Sequence, residues 1–501
     1  MIYSDVYDDI DKNMSFSNVG GRRKRNIRDH LFVVYAAMND VVNGNGSSFD
    51  IQGYDVTKCF DEMWYEDTMN DLWDVSVNND KFALISKLDE KCKIVVKTPV
   101  GVTEMFELER IVLQGSVFGP IKCSVQMDTL GRKSLQTGVG VYKYRGAVHV
   151  PALAMIDDIL GMASCGDDSI ELNSLINSKI ESKKLRDILS ENGAVDETIL
   201  ERNLKAIGII SQISSMLSSI CLGSYHFEIA MVLREAKFTN SVLTNSEVWH
   251  NMQSKHIESL EKSDLALLRS ILNAHSKTAT EAFYLELGIY PLKYHLSKRR
   301  FMYLWHILHT DASELIRKVY DIQKSNPNKG DWVKMMEEEQ GKYDLEISDT
   351  EISSMSRGKF ENIVKKKIKT HAAQYLKNKG LNHSKSVEIA SQKFQKKGYF
   401  SDRKMSRDDI QLLFKLRTKM LDCKTNFEGQ FEDMSCRACK DINSVENEDH
   451  ILYCSVLNTD NHEVRFSDVY GNTEIQYKAL QVFKKILRKR KVYLEVQFPS
   501  C

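Results

Sequence analysis

Two hydrophobic periods run along the chain, and the place where an unbroken pair of acids interrupts them organises the rest. Residues 152–156 and 159–163 are apolar runs of strand length, and between them stand Asp157 and Asp158 with nothing polar separating them from either run. The pattern predicts a strand–turn–strand with two carboxylates at its tip. Aspartate is a common turn residue, so a plain turn is one reading. Adjacent carboxylates also repel one another and resist desolvation, so a sheltered setting asks for a cation or a raised pKa. A divalent metal is the other reading.

Upstream, apolar positions at Leu31, Val34, Tyr35, Met38 and Val41 predict a helix that begins near Leu31. Before it, Gly20 and Gly21 lead into Arg22, Arg23, Lys24 and Arg25, a turn that suits either a phosphate contact or a solvated basic loop. Residues 49–55 read as a strand ending on Asp55, followed by helical spacing through Leu72. Asp55 then stands at a strand's carboxyl end, facing a site or capping the next helix. Residues 91–109 alternate around Pro99 and Gly101 as a hairpin. Gln114, Gly115, Ser116, Gly119 and Pro120 form a small-residue loop ahead of an apolar helix over 121–130. Glycine there admits close backbone approach to a planar ring, or simply starts the helix. Residues 142–149 predict another small hairpin.

From about residue 169 the spacing becomes helical, over 207–222, 225–237, 254–274 and 291–309. The last stretch interleaves Lys298, Arg299 and Arg300 with Tyr294, Phe301, Tyr303 and Trp305. That suits a nucleic-acid-facing helix or a core helix with snorkelling cations. Residues 326–331 form a linker turn. A basic amphipathic helix is predicted over 359–379 and a second basic helix over 484–491.

Composition sharpens this picture in three places. The 501 residues leave room for about three domains. Net charge is zero, which excludes a uniformly basic binder, but residues 355–424 carry 19 Lys and Arg against 6 Asp and Glu, a surplus of 13. A near-neutral body with a basic phosphate-binding segment is the expectation. No apolar run reaches the ~18–20 residues of a membrane helix, and the N-terminal residues lack a signal-peptide pattern. The ten cysteines are mostly scattered, which predicts reduced thiols inside the cell, in nucleus or cytoplasm. The exception is Cys436 and Cys439, followed by His450 and Cys454. Three thiolates and one imidazole at this spacing are a closed tetrahedral set for structural Zn²⁺.

Taken in order, the Gly-Gly-Arg22 turn, Asp55 with Phe60 and Asp61, Gln114-Gly115 with Pro120, and Asp157-Asp158 resemble the reverse transcriptase of non-LTR (LINE-like) retrotransposons. A Cys-Cys-His-Cys element near the C-terminus is also common there. The resemblance covers most of residues 1–330 and returns at 436–454. It implies an α+β fold: a right-hand polymerase palm with partial fingers, a helical thumb, and a small zinc element. The implied boundaries are fingers 1–47, palm 48–186, thumb and connection 187–345, basic helical segment 346–430, and zinc element with basic helix 431–501.

By the same resemblance, Asp55, Asp157 and Asp158 hold two Mg²⁺ ions for RNA-directed DNA synthesis from a DNA primer, an RNA template and dNTPs. Phe60 resembles the aromatic gate against a 2′-hydroxyl. Gln114 and Gly115 resemble the loop under the incoming nucleotide, and Arg22, with Arg23 and Arg25 beside it, resembles the fingers arginine near the triphosphate. Two departures stand out. Met155 and Ile156 replace an aromatic and a small residue before the acids. The chain also passes from Arg186 to Asp187 where the family has several dozen more residues, which implies an internal deletion and an exposed sheet edge. A catalytically silent remnant that binds nucleic acid, or an interaction protein using the helical region, is the alternative expectation.

Overall fold

The computed structural model describes residues 2–43, 50–56, 59–75, 79–89, 93–99, 101–107, 117–138, 141–163, 166–177, 182–185, 196–219, 225–250, 252–427, 429–441, 443–458 and 462–497. The fold is α+β: among the described residues the named strands lie in the first 185 residues and form small antiparallel sheets, and the remainder is mostly helical.

Six strands position the acids: β1 (Asp50–Val56), β2 (Tyr142–Tyr144), β3 (Val148–Val150), β4 (Leu153–Met155), β5 (Asp158–Ala163) and β6 (Ser182–Leu185). Four of them make one antiparallel sheet in the order β6–β1–β5–β4, and β2 pairs with β3 as the expected hairpin. The strand period sorts β1 into two faces. Gln52, Tyr54 and Val56 are buried while Asp55 is exposed. Helix α5 (Gly166–Asn177) lies under the buried face, where Tyr54 donates to Asn173 Oδ1 at 2.5 Å. Gly161 of β5 makes that approach possible, because a Cβ there would stand 2.3 Å from Leu172.

The sheet gains a neighbour beside β4 and a strand beside β1. Residues 17–19 run beside β4, with Ala154 N donating to Ser17 O at 2.7 Å and Val19 N to Ala154 O at 3.0 Å. On the other side β6 pairs with β1 from Gly53 opposite Leu185 to Val56 opposite Ser182. β1 is therefore paired on both sides, and β6 is the outermost strand. Unpaired backbone groups on β1 take whichever extended segment arrives next, irrespective of its side chains. The junction after Arg186 lies outside the described residues.

Helix α1 (Ile2–Asn13) packs on this unit, and α2 (Ile27–Val42) joins it to the helical part. α2 starts a turn earlier than its apolar spacing suggests, because Asn26 and Asp29 form a reciprocal capping box. It is enclosed on nearly every side. Phe32 meets His250, Tyr303 and Trp332 at ring distances of 5.4, 5.8 and 5.5 Å. Burial of each large ring contributes on the order of 1.5–3 kcal/mol. α3 (Cys59–Glu62) follows β1, and α4 (Gly119–Thr137) extends past the predicted 121–130 until Gly138 turns left-handed and stops it.

The predicted long helices are present as α6 (Asp196–Ser219), Tyr225–Leu233, Ser254–Leu272, α7 (Leu292–Leu308) and α8 (Arg357–Leu381). α7 is a core helix with snorkelling cations: Tyr294, Phe301 and Tyr303 are buried, while Lys298 and Arg299 are partly exposed. α8 buries Phe360, Val364, Ile368, Ala372 and Leu376 and leaves its lysines in solvent. The chain ends in α9 (Glu448–Tyr453) and α10 (Thr473–Gln497), the latter absorbing the basic stretch 484–491. Among the described residues no helix is long and apolar enough to cross a membrane.

Candidate active site and metal centre

The register of β1 and β5 brings acids 103 positions apart together. Asp55 stands directly opposite Asp158, and Val56 N donates to the carbonyl of Asp157 at 3.2 Å. Directly opposed residues have Cβ atoms about 4.5–5.5 Å apart, so these carboxylates share one exposed rim. The turn between β4 and β5 is tight: Ile156 has φ +59°, the left-handed region that β-branched residues avoid. Gly20 closes over it, and a Cβ there would meet Ile156 N at 2.3 Å. The carboxyl of Asp158 lies above its ordinary range, first through partial burial and then through the charges of Asp157 and Asp55. A carboxyl held above its ordinary value beside two further carboxylates is a fitting seat for a hard divalent cation.

The other expected residues fare differently. Phe60, on α3, is half-buried against the cluster beneath the acids. Gln114 and Gly115 lie outside the described residues. Arg22 turns inward: its guanidinium donates to Asp11 Oδ1 at 2.6 Å, to Asp11 O at 2.7 Å, to Asn18 O at 3.1 Å and to Ser15 O. In this arrangement it braces the loop and presents no donor to a triphosphate. Arg23 is the exposed neighbour, lying over the Tyr7 ring at 4.7 Å.

Two features under the acids had no clear signal in the sequence. Cys59 and Cys123 are buried with sulfurs 3.0 Å apart, and the Cys123 thiol is pushed up by its contact with Cys59, by burial and by Asp157. Lys122 is buried beside them in sequence, its ammonium brought down to about 8 by burial. A lone lysine between Ile121 and Cys123 on an apolar helix face was the one hint.

At the other end of the chain, Cys436, Cys439, His450 and Cys454 converge, with their ligand atoms all within 4.8 Å of one another. A short hairpin carries the first two: Ser435 bridges Val445, Ala438 N donates to Cys436 Sγ at 3.4 Å, and Lys440 takes φ +55° to close the turn. His450 comes from α9, whose N-cap Asn447 accepts from His450 N at 2.7 Å, and Cys454 is its C-cap. Cys436 and Cys454 sulfurs are 3.9 Å apart, and Cys439 Sγ is 3.4 Å from His450 Nε2. Tetrahedral zinc, from its usual bond lengths, sets such separations near ~3.8 and ~3.6 Å. The cluster could hold zinc. Buried Glu446 anchors it: burial raises its carboxyl, but hydrogen bonds from Arg437 and the charges of Arg490 and Arg437 outweigh this.

No protein-family model matches the chain, and no curated protein sequence matches it. Among solved structures, telomerase from Candida albicans in complex with a TWJ fragment of telomeric RNA is similar over 68% of this chain, at 10% identity and a TM-score of 0.33. The similarity spans 58% of that protein's length.

Proposed function

We propose that the chain is an RNA-directed DNA polymerase of the LINE-like reverse-transcriptase kind, with residues 48–186 as its palm. The observation that carries this reading is the β1–β5 register, which sets Asp55 against Asp158 with Asp157 at the adjoining turn. These carboxylates would hold two Mg²⁺ ions, which when bound supply charge stabilisation for an in-line phosphoryl displacement. Asp158, raised by partial burial and by the charges of Asp157 and Asp55, is the carboxyl a bound cation would relieve most. Phe60 would gate the sugar, and Gln114 and Gly115 would lie under the incoming dNTP. With Arg22 committed to the loop, Arg23 is the better candidate for the triphosphate. Residues 1–47 would be partial fingers, 187–345 a thumb and connection, 346–430 a basic tether, and 431–501 a zinc element held by Cys436, Cys439, His450 and Cys454. RNA template and DNA primer are the implied partners.

A catalytically silent remnant that still binds nucleic acid is the second reading. The sheet favours it, since its flank beside Asp55 is closed by only four residues of β6. Primer extension on a primed RNA template with Mg²⁺ and dNTPs separates the two. Extension by the parent chain that falls by about a thousand-fold or more in Asp157→Ala supports the polymerase. No extension by the parent, with salt-sensitive RNA binding retained, supports the remnant.

A further inference from the structure

A cleft of about 1130 Å³ opens where the basic turn after Gly21, helix α7 and the start of α8 meet. It is larger than the ~300–1,000 Å³ that holds a small molecule. The three acids are not part of its lining, but its near end is close to them. Gly20 touches Ile156, and Arg23 follows three residues later, a reach of at most about 11 Å. At its far end the cleft runs into a second groove of about 330 Å³, because Glu235, His295 and Lys298 line both. That groove continues to Lys365 and Lys369 on α8.

Helix α7 forms the floor. His295, Lys298, Met302, Trp305 and His309 are three and four residues apart, one continuous helical face. His309 is exposed and stacks on Trp305 with centroids 3.8 Å apart and planes 24° from parallel. Lys24, Arg357 and Lys369 are exposed, and their side chains have no ion-pair or hydrogen-bond partner among the described residues. Deeper in, Arg25 Nη1 and His295 Nε2 are buried without a partner. So is Oε2 of Glu247, whose side chain is only 3% exposed.

The ionisation of the lining agrees. Burial depresses the guanidinium of Arg25, helped by Arg22, and depresses that of Arg299. The core shows both outcomes: at Arg234 and Arg417 the acids Asp264 and Glu286 outweigh burial and the groups end above their ordinary value, whereas Arg300 beside Glu339 ends below it. The lining carries acids as well, and Glu314, Glu247 and Glu361 pair with Arg25, Arg28 and Lys298, so the exposed cations left without a partner among the described residues are Lys24, Arg357 and Lys369.

We infer that this cleft holds a single polynucleotide strand, with phosphates on Lys24, Arg357 and Lys369 and a base stacked on the Trp305–His309 pair. The strand's phosphodiesters meet the three unpaired cations, and its bases meet the stacked pair. A duplex offers the first but keeps its base faces covered, so the platform selects for a single strand. The inference does not require Asp55, Asp157 and Asp158 to be catalytic.

Fluorescence anisotropy of the full chain with a labelled dodecamer tests it, as RNA strand, DNA strand and duplex, between about 50 and 200 mM salt. The strand is expected to bind more tightly than the duplex. The double variant Lys24→Gln, Arg357→Gln should weaken strand binding about ten-fold and flatten the salt slope by about 1.4, near 0.7 per phosphate contact. His309→Ala should cost about five-fold with the slope unchanged. Tighter binding of RNA or of DNA supports the inference and names the strand's source. Variants that bind like the parent, a duplex bound as well as the strand, or a polyglutamate peptide bound as well as either, overturn it. Asp157→Ala should leave the binding intact, so a failure of catalysis and a failure of this cleft are distinguishable. The three substituted side chains are exposed, so matching thermal melts of parent and variants tie any loss to the cleft.

Discussion

Ile156 is the residue on which the acid turn depends. A β-branched side chain at φ +59° costs energy of order 1–3 kcal/mol, and such strain gathers where a site must hold a fixed shape. Its neighbour Asp158 adds an electrostatic cost of the same kind. A carboxyl whose folded pKa is raised above its unfolded value destabilises the native state at every pH above the raised value. The penalty is relieved as pH falls through that value and is gone below the unfolded one, near ~3.9. Asp158→Asn should therefore raise the melting midpoint of the metal-free protein at pH 7 by roughly a degree. Near pH 4 the gain should have largely disappeared, and thermal melts at the two pH values check both. A midpoint lowered at pH 7 would mean that the acid is stabilised by its surroundings instead. Arg22 illustrates the limit of reading at this scale. Its position in a Gly-Gly-Arg turn was visible in the sequence, but its inward direction was not. That depends on the Ser15 and Asn18 carbonyls, which only the folded loop presents.

Among elements, those with a strong period were legible and those made by their neighbours were not. The acid hairpin, the 142–149 hairpin and the amphipathic α8 follow from alternation or from three-and-four spacing. β6 does not. Ser182, Lys183, Lys184 and Leu185 carry no alternation, and their strand character comes from the open edge of β1. The Cys-Cys-His-Cys cluster was legible for a different reason, since four ligand-type side chains show themselves by residue type and spacing rather than by a hydrophobic period. Purified protein should carry about one zinc per chain by elemental analysis, and Cys454→Ala should lose it. Removal of the metal by a chelator should expose residues 431–470 to protease while leaving the sheet protected, because the hairpin and α9 have little apolar core of their own. Zinc content unchanged in the variant would exclude the tetrahedral set.

For the molecule as a whole, the junction between the sheet unit and the helical part is ionic as well as apolar. Arg145, in the turn between β2 and β3, binds Asp40 of α2 at 2.6 Å and Asp331 of the distant linker at 2.8 Å, with both carboxylates fully buried. Arg145→Ala would leave two buried acids with no cation between them. A loss of about 3–5 kcal/mol is expected by urea denaturation, against a small effect for Arg317→Ala, whose pair with Asp321 is largely exposed. None of this was visible in the sequence, where Arg145 reads as an ordinary turn residue and the partners are 105 and 186 positions away.

Helix α2 carries a practical consequence. It meets Arg145 of the sheet unit on one side and Thr198, His250, Tyr303 and Trp332 on the other, so a boundary drawn between the two parts strips it on one face wherever the cut falls. A fragment ending near residue 190 would present Phe32 and its neighbours to water, and should associate with itself or stay insoluble. The two pieces, produced together from separate genes, should instead find each other and assemble across that helix.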